Sequence, residues 1–174
     1  MKLAVTGPPG SGKTTLCGRL VDALDLTIGG IRTQEIRGTT GQRTGFAIRD
    51  IASGTEGTLA STARDHGPRV GKYRVHVDDV ERVAIPAIER AIDEADMIVI
   101  DEIAPMELTS NAFVTVAHSA LEGDVPTLVT FKGRARHPLF DRIRELCEVY
   151  ELTVSNREEI YAEIHERLSR LKES

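Results

Sequence analysis

Eight residues near the N-terminus, Gly7-Pro8-Pro9-Gly10-Ser11-Gly12-Lys13-Thr14, have the types and spacing of a phosphate-binding loop, G-x-x-x-x-G-K-[ST]. Glycines at 7, 10 and 12 let the backbone wrap closely around phosphate oxygens with its amides turned inward. A helix opening near Lys13 presents the positive end of its dipole to the anion. Lys13 can then reach the β- and γ-phosphates and the Thr14 hydroxyl can ligate Mg²⁺. Thr15 extends the nucleotide-binding stretch by one residue. A glycine-rich turn alone can be only a turn. Here a short apolar run, Lys2–Thr6, precedes it and a helical pattern, Thr14–Leu24, follows, which is the context the chemistry needs.

The second chemical signal is Met97-Ile98-Val99-Ile100-Asp101-Glu102, four apolar residues ending in two acids. A strand buried on both faces carries such an acid to its carboxyl end, beside the phosphate loop. Asp101 is expected to hold Mg²⁺, and Glu102 to polarise the water that attacks the γ-phosphate. The adjacent glutamate favours hydrolysis over transfer to a metabolite. No N-K-x-D motif occurs, and Asp101-Glu102-Ile103-Ala104 lacks the glycine of a D-x-x-G switch loop, so a guanine-specific regulatory GTPase is argued against. Nothing announces a base-specificity pocket, which fits use of ATP, GTP, CTP and UTP alike.

Positioning these groups requires alternating strands and helices. Between Ile28 and Tyr73, glycines and short β-prone runs predict a β-hairpin-rich insertion. Asp78 and Glu81 form a D-x-x-E capping box ahead of an amphipathic helix over Asp79–Ala95. After the strand Met97–Asp101 come a helix near Asn111–Glu122, a strand at Thr127–Phe131, a helix near Pro138–Leu146 and a strand at Val149–Thr153. Ser155 with Glu158 is expected to cap a last helix with the stripe Ile160, Ile164, Leu168 and Leu171. The alternation predicts an α/β, Rossmann-like phosphate-loop fold with a mostly parallel central sheet and helices on both faces. Ligands of such sheets bind beyond the carboxyl ends of the strands.

The 174 residues read as a single domain, 1–174, without repeats or linkers. A net charge of -5 gives no basic footprint for nucleic acid or anionic lipid. No segment approaches the roughly 18 apolar residues of a membrane span, and no signal peptide is recognisable. Cys17 and Cys147 are read as small buried hydrophobes, and the expected compartment is the cytoplasm.

With these segments identified, the chain resembles the small cancer-related (THEP-type) nucleoside-triphosphatase family. The resemblance rests on GPPGSGKTTL at Gly7–Leu16, GGIRTQEIR at Gly29–Arg37, RTGF at Arg43–Phe46, VGKY at Val70–Tyr73, Ile85-Pro86, IDEIAPMEL at Ile100–Leu108 and His137-Pro138. It implies slow, Mg²⁺-dependent hydrolysis of several ribonucleoside triphosphates to the diphosphate and phosphate. It also implies that Ile98, Val99, Ile100, Asp101, Glu102, Ile103, Ala104 and Pro105 lie against the nucleotide. Many members carry Gly-Lys where this chain has Ala104-Pro105, so no role of that lysine transfers. Gly30-Ile31-Arg32 likewise replaces a more usual aromatic entry.

Cationic help for the γ-phosphate is sought among Arg32, Arg37, Arg43, Arg134 and Arg136. Arg134 and Arg136 follow the strand Thr127–Phe131, which puts them at the ligand edge and among the catalytic candidates. Glu35 reads as the partner of an arginine in a β-hairpin, a structural role that Arg37 could share in place of a phosphate contact, Lys72 as part of a turn, His137 as a helix start and Glu107 as a carboxylate behind the metal. Two rivals stay open beside hydrolysis: a nucleotide or nucleoside kinase, and a nucleotide-gated binding module.

Overall fold

The unbroken apolar runs form the middle of a nine-stranded sheet in the computed structural model, which describes residues 1–173. Strand β1 (Lys2–Thr6) passes through the phosphate loop into helix α1 (Lys13–Ala23). Strands β2 (Ile28–Arg37), β3 (Arg43–Asp50), β4 (Glu56–Ser61), β5 (Arg69–Val70) and β6 (Tyr73–Val75) follow. Then come α2 (Val77–Glu94), β7 (Met97–Ile103), α3 (Asn111–Glu122), β8 (Thr127–Phe131), α4 (Pro138–Leu146), β9 (Glu148–Glu151) and α5 (Arg157–Ser169).

The order across the sheet is β5-β6-β4-β3-β2-β7-β8-β1-β9. From β2 to β9 every pairing is parallel, and from β2 outward to β5 every pairing is antiparallel. Strand β2 belongs to both halves: Ile28–Arg32 pair with β7 while Ile31–Arg37 pair with β3. The glycine-rich stretch thus continues the central sheet.

Alternation along the parallel strands feeds two cores. Ala4, Ile98, Ile100 and Val129 pack under α2, α3 and α4, whereas Leu3, Val5, Met97, Val99 and Leu128 pack under α1 and α5. Strands covered on both faces have no polar side to show, hence their continuous apolar sequence. Cys17 and Cys147 are free and buried. No helix among the described residues is long and apolar enough to cross a membrane.

Three local expectations are corrected. Helix α2 begins at Val77 without a side-chain cap, because Arg64 takes the Asp78 carboxylate at 2.9 Å and Glu81 accepts from the Ser110 hydroxyl at 2.9 Å. Helix α5 follows Asn156, whose Oδ1 accepts from Thr153 N at 2.8 Å, while Ser155 pairs with the Thr153 hydroxyl and Glu158 turns to Arg19. Asp78, Glu81 and Glu158 are each drawn off by a partner distant in sequence, whereas Ser155 is taken by Thr153 two residues before it. Strand β7 runs past Asp101 to Ile103, with its register against β8 shifting between Ile100 and Ile103. The irregularity there is a bulge-like device that re-aims side chains at a strand end.

Candidate active site

Sheet order decides where the chemical groups meet. Strand β1 delivers the phosphate loop, β8 lies on one side of it and β7 beyond that, and β9 flanks β1 on the other side. The carboxyl ends of β1, β7 and β8 open into one cleft of about 690 Å³. Phosphate-loop residues Gly7, Pro9, Gly10, Gly12, Lys13, Thr14 and Thr15 line it together with Glu102, Ala104, Pro105 and Glu107. Farther out its wall is made by the antiparallel strands, including Gln34, Glu35, Arg43 and Phe46.

The loop keeps its shape through contacts no larger residue would permit. Gly12 has φ 101° and carries the Arg157 guanidinium 3.1 Å from where a Cβ would stand. A Cβ on Gly7 would fall 2.4 Å from Leu152 O. Lys13 Nζ donates to Gly7 O at 2.8 Å, which holds the ammonium across the loop. From α5, Arg157 Nε donates to Ser11 O at 2.6 Å and Nη2 to Gly10 O at 2.7 Å. The loop is therefore fastened from outside, by its carbonyls. Ser11 Oγ is buried and without a hydrogen-bond partner among the described residues.

Asp101 is fully buried at the end of β7. Its Oδ1 accepts from the Thr130 hydroxyl of β8 at 2.7 Å, and the Thr14 hydroxyl stands 3.4 Å away, long for an O–H···O bond. Oδ2 has no partner among the described residues. Burial pushes the Asp101 carboxyl up, opposed by the hydrogen bonds from Thr130 and Thr14 and by the charges of Arg32 and Lys13. Arg32 is the residue in register with Asp101 on β2, and its Nε is likewise unpartnered among the described residues. An orphaned buried carboxylate oxygen beside a threonine hydroxyl is a hard-oxygen pair, the donor chemistry that suits Mg²⁺ with phosphate and water as its other ligands.

Glu102 faces the cleft. Burial raises its carboxyl above the ordinary range, Lys13 and Lys132 pull it back, and Asp101 adds to the rise. Glu107 lies deeper, with its Oε2 accepting from Ala104 N at 3.1 Å. Burial, reinforced by the nearby Glu102, puts its carboxyl well above the usual value.

The other expected residues are distributed unevenly. Ile98, Val99, Ile100 and Ile103 are buried in the two cores and support the site without lining it. Pro8 is exposed on the loop. Arg134 and Arg136 are exposed on the β8–α4 connection and absent from the cleft wall, to which that connection contributes Lys132. Glu35 binds Arg37 on its own strand at 2.7 Å and Arg43 across the β2–β3 hairpin at 2.9 Å. Lys72 stands in the β5–β6 turn, and His137 Nδ1 accepts from Leu139 N at the start of α4. Sequence reading passed over Thr130, Lys132, Arg19 and Arg157. Thr130, a polar residue inside an apolar strand, carried a usable signal; the arginines carried none, because only the fold brings α5 to the loop.

A phosphate loop on β1, an acid on β7 and helices on both faces of a parallel sheet define a phosphate-loop nucleotide-binding protein. Residues 2–165 match the model of the NTPase family, and the chain belongs to that family. It is 44% identical over 174 residues to nucleoside-triphosphatase THEP1 of Methanosarcina acetivorans, covering 98% of each chain. With the protein of the same name from Thermococcus kodakarensis it shares 45% identity, over 97% of this chain and 94% of the other. The crystal structure of THEP1 from Aquifex aeolicus superposes with a TM-score of 0.88 at 36% identity, covering 98% of this chain and 100% of that one. A human cancer-related nucleoside triphosphatase gives 0.78 at 30% identity, with 96% of each chain covered.

Proposed function

We propose that this chain is a Mg²⁺-dependent nucleoside-triphosphate phosphohydrolase of broad base specificity, acting in the cytoplasm. The observation that carries the reading is the convergence of Lys13, Thr14 and Glu102 on one cleft wall, with Asp101 buried directly behind it. The relatives' name, nucleoside-triphosphatase, supports hydrolysis over transfer to a metabolite.

Amides of Gly7–Thr14 and the α1 dipole bind the phosphate oxygens, and Lys13 leaves Gly7 O to neutralise the β- and γ-phosphates. Thr14 and Asp101 would hold Mg²⁺, which when bound neutralises charge on those phosphates. Glu102 accepts a proton from water as the water oxygen bonds to the γ-phosphorus. The bond from that phosphorus to the β-bridging oxygen breaks, leaving diphosphate and phosphate. A carboxyl raised by burial is a stronger base than an exposed one, and such help is worth roughly 10²–10⁴-fold. Lys132 is the cation assigned to the γ-phosphate side in place of Arg134 and Arg136.

The test is phosphate release from ATP, GTP, CTP and UTP, each with Mg²⁺ and with chelator. Release from all four, abolished by chelation, is the expected result. Release that persists in chelator refutes the metal assignment, and release from one base alone refutes the breadth.

A further inference from the structure

The phosphates fix which way a nucleotide must lie. Glu102, two strands from the loop on the β7 side, marks the γ-phosphate end. The nucleoside must then leave the loop toward the opposite side, where α1 and α5 meet. On that side the cleft wall is formed by Leu152, Arg19 and Glu158.

Arg19 is held there in an unusual way. Glu158 accepts from its Nη1 at 2.7 Å and its Nη2 at 3.0 Å, a two-point clamp that fixes the guanidinium plane. The Tyr161 ring covers one face, with Cζ 3.8 Å from its centroid, and His165 stacks behind Tyr161 at 5.6 Å. Arg19 lies four residues beyond Thr15, so a rise of about 6 Å along α1 separates them. That is on the scale of the span from an α-phosphate to its base.

We propose that the open face of Arg19 is the stacking platform for the nucleobase, and that its clamp by Glu158 makes it indifferent to which base is bound. A flat cation stacks on any base, because every base offers a π-face. The Nη1–Nη2 donor pair, which would otherwise read guanine O6 and N7, is engaged by Glu158. The inference deepens the phosphohydrolase reading and rests on it for the direction of the triphosphate.

The test measures binding, so it does not depend on turnover. Wild type, Arg19→Ala, Arg19→Lys and Glu158→Ala are titrated with the β,γ-imido analogues of ATP, GTP and UTP and with inorganic tripolyphosphate, all with Mg²⁺. Thermal melts confirm that each variant is folded. Arg19→Ala should weaken all three nucleotides about tenfold, within a factor of about three of one another, and leave tripolyphosphate unchanged. Arg19→Lys keeps the charge without the plane and should not rescue. Glu158→Ala frees both the plane and its donors, so it should weaken the ATP and UTP analogues while the GTP analogue loses less, again sparing tripolyphosphate; a loss equal for all three would refute the role of the clamp.

Equal weakening of tripolyphosphate would make Arg19 a phosphate ligand and overturn the proposal. So would unchanged nucleotide affinity, full rescue by lysine, or loss confined to one base. Wild type that binds these analogues yet releases no phosphate from ATP, GTP or UTP themselves would instead count against the phosphohydrolase reading, leaving the binding comparison intact.

Discussion

Arg157→Ala removes the two hydrogen bonds that fasten the phosphate loop to α5. The Nε bond to Ser11 O is partly buried at 2.6 Å, and the Nη2 bond to Gly10 O is exposed at 2.7 Å. A hydrogen bond from a charged donor contributes about 1.5–3 kcal/mol, less at an exposed site, so the pair together contributes about 2 kcal/mol. In a chain of 174 residues that corresponds to a melting temperature lower by about 4–8 °C. A loop released from its carbonyl anchors must be reordered by the ligand, so the affinity for tripolyphosphate should fall by up to about thirtyfold. Arg157→Lys, with one point charge for two carbonyls, should recover part of each loss. Thermal denaturation and calorimetric titration with tripolyphosphate and Mg²⁺ check both figures. If Arg157→Ala matches wild type in melting temperature and in tripolyphosphate affinity, the external fastening contributes nothing to the shape of the loop.

Thr130→Val keeps shape but removes the 2.7 Å donor to the buried Asp101. Denaturant unfolding near pH 8 should show a loss of about 1.5–3 kcal/mol, and Mg²⁺-dependent nucleotide binding should weaken. Glu107→Gln tests the buried carboxyl that Glu102 reinforces. Its folded-state pKa is raised, so the native state holds the proton more tightly, and its contribution is present below the unfolded value near 4.5 and lost as pH rises through the folded pKa. The variant should therefore gain stability relative to wild type with increasing pH, while a difference independent of pH would contradict the burial account.

Much of this architecture was legible because the parallel strands and amphipathic helices write themselves locally. Thr127–Phe131 and Pro138–Leu146 have the predicted limits, and the phosphate loop announces its own geometry through Gly7, Gly10 and Gly12. Asp101-Glu102 was readable because the four apolar residues before them require a strand buried on both faces. The caps differ from expectation because Asp78 and Glu158 find partners in Arg64 and Arg19, far from them in sequence, while Ser155 pairs with its near neighbour Thr153. Arg19 and Arg157 were invisible for the same reason: Arg157 lies 146 residues from the loop carbonyl its Nε binds, and the sheet order that unites them leaves no periodic trace. Arg134 and Arg136 illustrate the converse. Being on a connection after a central strand does not fix which side chain turns inward, and Lys132 occupies that position.

Glu102 is assigned to water activation, while Lys13 and the phosphate loop bind the nucleotide independently of it. Single-turnover phosphate release by Glu102→Gln beside wild type, with nucleotide affinity measured on the same samples, separates the two roles. Affinity should stay within about threefold of wild type while the rate falls by roughly 10²–10⁴-fold. Hydrolysis at the wild-type rate, or affinity that falls in step with turnover, would contradict that assignment.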